Sequence, residues 1–192
     1  MFDLPKKIII LDAEYTAWQG SLRRRWSGPN EHREVVQIAA ILADTEKFIE
    51  LDNFDLLVKP VKNPVLSEYF INLTGITQVE VDQKGISFEE ALSKFFSWSG
   101  GRTIFSFGGD ERVLKENCRL VNIKFPFEDF KYGNLIDIFG KYIPEINKYQ
   151  SGNILAAFGK KSVLHQHNAL NDCRILLDGL RELALRGNFI DF

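Results

Sequence analysis

The feature that most constrains this chain is an apolar run that ends in acid. Ile8-Ile9-Ile10-Leu11 leads straight into Asp12-Ala13-Glu14. Bounded by Lys6-Lys7 and Asp12, the run predicts a central strand buried on both faces. Such a strand needs a covering layer on each side of its sheet. Side chains at i and i+2 leave the same face of a strand. Asp12 and Glu14 are therefore expected side by side at the strand's end. Two adjacent carboxylates repel unless a cation lies between them or one is protonated, and hard divalent cations such as Mg²⁺ favour oxygen ligands. Acidic strand ends are common, so the pair alone barely exceeds an ordinary strand terminus.

The rest of the chain supplies the context. Residues 15–33 are polar, aromatic and rich in Gly and Arg, and read as a long connection. Residues 34–43 are compatible with helix or strand, and Val35-Val36 with Asp44 favours a strand. Residues 47–58 read as another strand, so the early chain predicts an antiparallel meander. Pro60 and Pro64 mark a loop. Ser67 is placed to cap a short helix through Leu73, stopped by Gly75. Ser87-Phe88-Glu89-Glu90 fits a capping box, with a helix to about Ser97. Residues 102–107 read as a strand, a helix runs from Asp110 to about Leu120, and residues 123–150 read as mixed with short helical pieces. The last helix spans about Ala169 to Leu185, with Leu170, Cys173, Leu176, Leu177 and Leu180 on its apolar stripe.

Three further acids and bases stand out. Asp110 follows Phe107-Gly108-Gly109, where Asp is also a favoured helix cap. His167 and Asp172 stand five residues apart. On one helix that is about 500°, leaving the side chains some 140° apart. They converge only if His167 lies in the loop before the helix and Asp172 in its first turn, where an acid is also favoured by the helix dipole. His165 is a rival to His167, and His-x-His raises zinc, but the one other histidine is His32.

At 192 residues the chain is expected to form one domain, 1–192. A net charge of −2 argues against a broad basic surface for gripping a duplex. Contact with nucleic acid would be local, at a strand end. Cys118 and Cys173 make no disulfide framework. The N-terminal apolar run is too short for a signal-peptide core, and nothing approaches a membrane span. The expectation is a soluble cytoplasmic protein.

Taken in order, a strand-borne D-x-E, an Asp after a strand and glycine turn, and an H-x4-D opening the last helix resemble the DEDDh exonucleases, the DnaQ and RNase T-like enzymes. Leu57-Val58-Lys59-Pro60, the stretch from Leu66 to Thr77, and Glu34-Val35-Val36-Gln37-Ile38 extend the likeness over about residues 6–180. They are most similar to the small exonucleases that trim histone-mRNA and small-RNA 3′ ends. The resemblance implies an RNase H-like α/β fold: a mixed sheet with three antiparallel strands first and helices on both faces. It implies two Mg²⁺ or Mn²⁺ ions, one held by Asp12, Glu14 and Asp172, the other by Asp12 and Asp110. His167 would be the general base, in keeping with an imidazole's near-neutral titration. The implied reaction releases nucleoside 5′-monophosphates from 3′ ends of single-stranded RNA or DNA, with RNA slightly ahead. Ala13, Tyr15 and Trp18 would contact the terminal nucleotide. Trp26 and Phe107 are further aromatics near the acids, and Phe105 is expected in the core.

Three departures qualify the likeness. Tyr15 stands where small residues are frequent. The turn before Asp110 is one or two residues shorter than expected, so its register is the least secure. Arg23-Arg24-Arg25-Trp26 matches no family motif, and a solvated charge run competes with phosphate contact there. Position 168 is Asn, so the tyrosine variant, Y-x3-D, is not supported. Two other functions stay open: a nuclease for very short oligonucleotides, and a non-catalytic nucleic-acid-binding or partner-docking domain. Oligomeric state is not legible.

Overall fold

The computed structural model describes residues 4–125 and 130–187. The apolar run becomes β1 (Lys7–Tyr15), the middle of a five-stranded sheet. On one side β1 pairs antiparallel with β2 (Val35–Asp44), which pairs antiparallel with β3 (Ile49–Leu57). On the other side it pairs parallel with β4 (Ile104–Ser106), and β4 pairs parallel with β5 (Tyr132–Asn134). The order is β3-β2-β1-β4-β5, a mixed sheet that opens with three antiparallel strands, as expected.

Strand alternation explains why β1 is apolar throughout. Ile8 and Ile10 enter a core built with α6 (Leu135–Phe139), a 3₁₀ segment (Ser151–Phe158) and α7 (Ala169–Gly187). Ile9 and Leu11 point the other way, into a core with α4 (Phe88–Ser99) and α5 (Asp110–Leu120). All four are essentially inaccessible. Burying such a side chain contributes about 1.5–3 kcal/mol, so a polar residue at any of the four would break a layer.

The remaining elements are α1 (Ser21–Arg24), inside the β1–β2 connection, then α2 (Glu68–Thr74), α3 (Gln78–Lys84) and a short 3₁₀ turn (Ile146–Lys148). Helix α2 begins as predicted: the Phe70 amide donates to the Ser67 hydroxyl at 3.0 Å. It stops at Gly75, whose φ of 77° lies in the left-handed region that glycine adopts without a Cβ clash. Helix α3 was not expected, and it carries the full capping box, between Thr77 and Glu80. At Ser87 half of the predicted box forms. Its hydroxyl accepts from the Glu90 amide, while the Glu90 carboxylate pairs with Lys94 at 2.8 Å. Strand β5 lies in the stretch read as short helical pieces. Three residues give no usable alternation, so neighbouring β4 rather than local pattern specifies it. Residues 126–129 of that stretch lie outside the described residues. Among the described residues no helix is long and apolar enough to cross a membrane.

Candidate active site

The site forms at the C-terminal ends of the parallel strands β1 and β4, where open α/β sheets place ligands. Asp12 and Glu14 continue the row of Ile8 and Ile10, so they face α7. Asp12 pairs across the sheet with Ala39, and Glu14 with Gln37. His167 lies before α7 in the left-handed region, φ 58°, and Asp172 lies in the first turn of α7. This is the arrangement in which the two side chains converge. Ligand atoms of Glu14, His167 and Asp172 all lie within 4.8 Å of one another. Asp110 opens α5 immediately after β4 and the Phe107-Gly108-Gly109 turn. Gly109 takes the cap position, and the Asp110 carboxylate, held by the backbone amides of Asp110 and Ala13, lines the site despite the short turn.

All eight predicted residues, Asp12, Ala13, Glu14, Tyr15, Trp18, Asp110, His167 and Asp172, line one cleft of about 570 Å³. His165 does not join them. It lines a separate concavity beside Asn168 and Asn171. His32 lies beside Arg33 in a groove that adjoins the cleft but is not part of the cleft's own lining, so the histidines do not gather as a zinc site would require.

Burial and mutual repulsion shape the charges. Asp12 is pushed well above the usual carboxylate range, first by burial, then by the charges of Asp110, Asp172 and Glu14. Glu14 is raised to about 8 by burial, Asp172 and Asp110. Asp110 is raised to about 6 by burial, against a lowering contribution from the Ser106 hydroxyl. Asp172 is likewise raised to about 6 by burial, opposed by the Ser151 hydroxyl and the His167 amide. His167 moves the other way, lowered by burial and then by His165, which keeps its imidazole neutral and able to accept a proton near pH 7.

This donor set fits divalent cations. Asp172 Oδ1 is buried with no hydrogen-bond partner among the described residues, and buried polar atoms ordinarily have one. Four carboxylates held together without a cation destabilise one another. Oxygen donors with one imidazole suit Mg²⁺ or Mn²⁺ better than a thiolate metal.

Several supporting residues escaped the sequence reading. Ser151 donates to Asp172 Oδ2 at 3.2 Å and also lowers the Asp12 carboxyl. Gly152 packs directly on the same carboxylate: a Cβ there would lie 2.8 Å from Asp172 Oδ1. Ser106 bonds the Tyr132 hydroxyl and faces Asp110. Gln37 is a lone amide in an apolar strand, which was the one available signal. Its Oε1 accepts from the Ala169 amide at 3.1 Å and its Nε2 donates to Asp55 at 2.8 Å. It thereby ties the start of α7 to the strand position opposite Glu14. Gln37→Leu is expected to cost about 1–3 kcal/mol, the usual penalty for a buried amide left unpaired. A lower denaturant midpoint at unchanged m-value would show it.

The β1–β2 connection forms the cleft's outer wall. Trp26 donates its indole N–H to the Thr16 carbonyl at 2.8 Å and stacks edge-on against Tyr15 at 5.3 Å. Arg24 is tied to Glu31 and to the Gln19 carbonyl. The buried Glu34 carboxylate accepts from the amides of Val61, Lys62 and Asn63. Phe105 is core, as expected, with its ring against Gly133. Phe107 lines the cleft.

Fold and sequence together place the chain among proteins of the exonuclease class. The model of the RNase T exonuclease family matches residues 9–179, and the chain belongs to that family. It is 28% identical over 145 residues to human 3′-5′ exoribonuclease 1, covering 70% of this chain and 40% of that protein. To the probable 3′-5′ exonuclease KapD of Bacillus subtilis it is 30% identical over 124 residues, 63% of this chain and 57% of the other. The match to human ERI1 exoribonuclease 2 is 33% over 92 residues, 47% of this chain and 12% of that one. Each match thus spans less than two thirds of the curated relative. Among solved structures, the nuclease domain of 3′hExo, a DEDDh family member bound to rAMP, superposes with a TM-score of 0.79 at 24% identity, covering 95% of this chain and 92% of the other. E. coli exonuclease I bound to single-stranded DNA superposes with a TM-score of 0.69 at 16% identity, covering 96% and 42%. The resemblance to the DEDDh exonucleases is borne out.

Proposed function

We propose that this chain is a divalent-metal-dependent 3′→5′ exonuclease that releases nucleoside 5′-monophosphates from single-stranded ends, RNA ahead of DNA. The observation that carries the reading is the convergence of Asp12, Glu14, Asp110, His167 and Asp172 on one cleft. Asp12, Glu14 and Asp172 would hold one ion, and Asp12 with Asp110 the second. Bound divalent ions supply charge neutralisation and Lewis acidity to a phosphodiester. His167 accepts a proton from the attacking water. The new phosphorus–oxygen bond forms as the bond to the neighbouring nucleotide's 3′ oxygen breaks, leaving that strand with a 3′ hydroxyl. Tyr15 and Trp18, in the cleft's lining, would stack against the terminal base, a sequence-tolerant hold. The Ala13 backbone, in the cleft's lining, would contact the terminal nucleotide. The exoribonuclease names of the relatives and the rAMP-bound neighbour support RNA.

A time course on 5′-labelled single-stranded RNA and DNA, with Mg²⁺, Mn²⁺ or EDTA, tests this. A ladder shortening from the 3′ end, stopped by EDTA and faster on RNA, is the expected result. No mononucleotide release from either polymer would defeat the enzyme reading. Consumption of a dinucleotide alone would replace the substrate assignment with a scavenger of very short oligonucleotides.

A further inference from the structure

Beside the acidic cleft runs a second concavity, a groove of about 800 Å³ between the β1–β2 connection and α5. Leu22, Trp26, Arg33 and Arg112 line both spaces, so the groove continues the cleft. Its charge is the opposite of the cleft's. Arg25, Arg33 and Arg112 line it against Glu31 and Glu116, and both glutamates are already engaged. Glu31 is held by Arg24, which lies outside the lining, and Glu116 by Arg33, whose Nε donates at 3.1 Å. Arg112 reaches Glu116 only at 4.0 Å and keeps its side chain 72% exposed. No ion pair among the described residues reaches Arg25. Arg25 therefore faces the groove without an ion pair among the described residues, and Arg112 with only a long one.

The wall is built rather than loose. Trp26 is fixed by its bond to Thr16 and by Arg33, whose guanidinium carbon lies 5.3 Å from the indole and 5.5 Å from the Tyr15 ring. Asn117 on α5 donates to the Arg33 carbonyl at 2.9 Å and accepts from the Val35 amide at 3.0 Å, stitching the two walls together. Arg25 and Trp26 both hold left-handed backbone, φ 55° and 54°, which side-chain-bearing residues adopt rarely. Leu22, 68% exposed, supplies an apolar surface at the junction.

We propose that this groove is a second subsite for the substrate strand, taking the sugar–phosphate backbone upstream of the nucleotide held in the cleft. The proposal rests on the exonuclease reading. A strand whose scissile phosphate lies among carboxylates gains from fixed cations at its next phosphates, and arginines grip phosphate through paired N–H donors. The Arg23-Arg24-Arg25-Trp26 tract thereby resolves: Arg24 and Trp26 build the wall, and Arg25 with Arg112 meets the strand.

The test compares KM for a single-stranded RNA octanucleotide with KM for a dinucleotide, in Mn²⁺, across 50–200 mM salt. The wild type should favour the octanucleotide. Arg25→Gln with Arg112→Gln should raise the octanucleotide KM about tenfold relative to that of the dinucleotide. The same variant should flatten the log–log salt dependence by about 0.7 per arginine removed. Arg25→Gln alone, a change in the groove and not the cleft, should give about half the change in slope. Both positions are exposed, so melting temperatures should match the wild type. An unaltered KM ratio and salt slope in a variant that still cleaves would overturn the subsite while sparing the exonuclease reading. A wild type that releases nothing from either substrate would remove both.

Discussion

Asp12→Asn is expected to abolish mononucleotide release, by about a thousandfold or more, while stabilising the metal-free protein. The two effects share one cause. Asp12 is buried and sits among Asp110, Asp172 and Glu14, which hold its carboxyl well above the usual range. Its charge is worth having only with cations present, where a preorganised ligand acts on developing charge in the transition state. Without cations the charge is a liability, and an isosteric amide removes it. Thermal melting in EDTA should show a raised midpoint, while hydrolysis of labelled RNA in Mn²⁺ falls to background. A variant that loses activity and stability together would mean that Asp12 serves the fold instead.

The second large effect is a metal-dependent pH profile of stability. Glu14 is raised to about 8, and Asp110 and Asp172 to about 6, against roughly 4 for such groups in an unfolded chain. The folded protein therefore binds more protons than the unfolded one across that interval. Stability must then fall as pH rises. It is fully present below about pH 4, and is lost as pH climbs through 6 and then 8. Three coupled groups make the loss on the order of a few kcal/mol. Mn²⁺ should reverse it, because the ion binds the deprotonated carboxylates and so gains on the proton as pH rises. At a hundredfold excess over Kd, binding adds about 2.7 kcal/mol. For a chain of 192 residues that corresponds to a melting shift of about 5–10 °C. Melting curves from pH 5 to 8, with EDTA or Mn²⁺, read both effects. A metal-free curve that rises with pH would show that these carboxylates are solvated and the site has a different shape.

Legibility differed from element to element. Four consecutive apolar residues admit few placements, so β1 was readable as a strand covered on both sides. Ser67 with Gly75 bracketed α2, because a cap and a stop are local chemistry. Strand β5 was not readable, since Tyr132–Asn134 pairs only because β4 lies beside it. The β1–β2 connection was visible as polar and arginine-rich, but nothing local said that Arg24 would turn to Glu31 or that Trp26 would dock on Thr16. Gln37 could be noticed as odd, yet its partners Ala169 and Asp55 lie far away in sequence.

The same division runs through the site. The sequence by itself determined which side chains could do chemistry. It put Asp12 and Glu14 on one face by strand alternation, and brought His167 and Asp172 together on the condition of a loop-to-helix boundary between them. Only the tertiary structure met that condition, brought Asp110 in despite its short turn, and set Ser151 and Gly152 against Asp172. It also left Asp172 Oδ1 without a donor among the described residues and placed a basic groove beside an acidic cleft. The physical reason is range. Periodicity and capping act over a few residues and are written locally, whereas burial, charge coupling and packing depend on groups that meet only when the chain has folded.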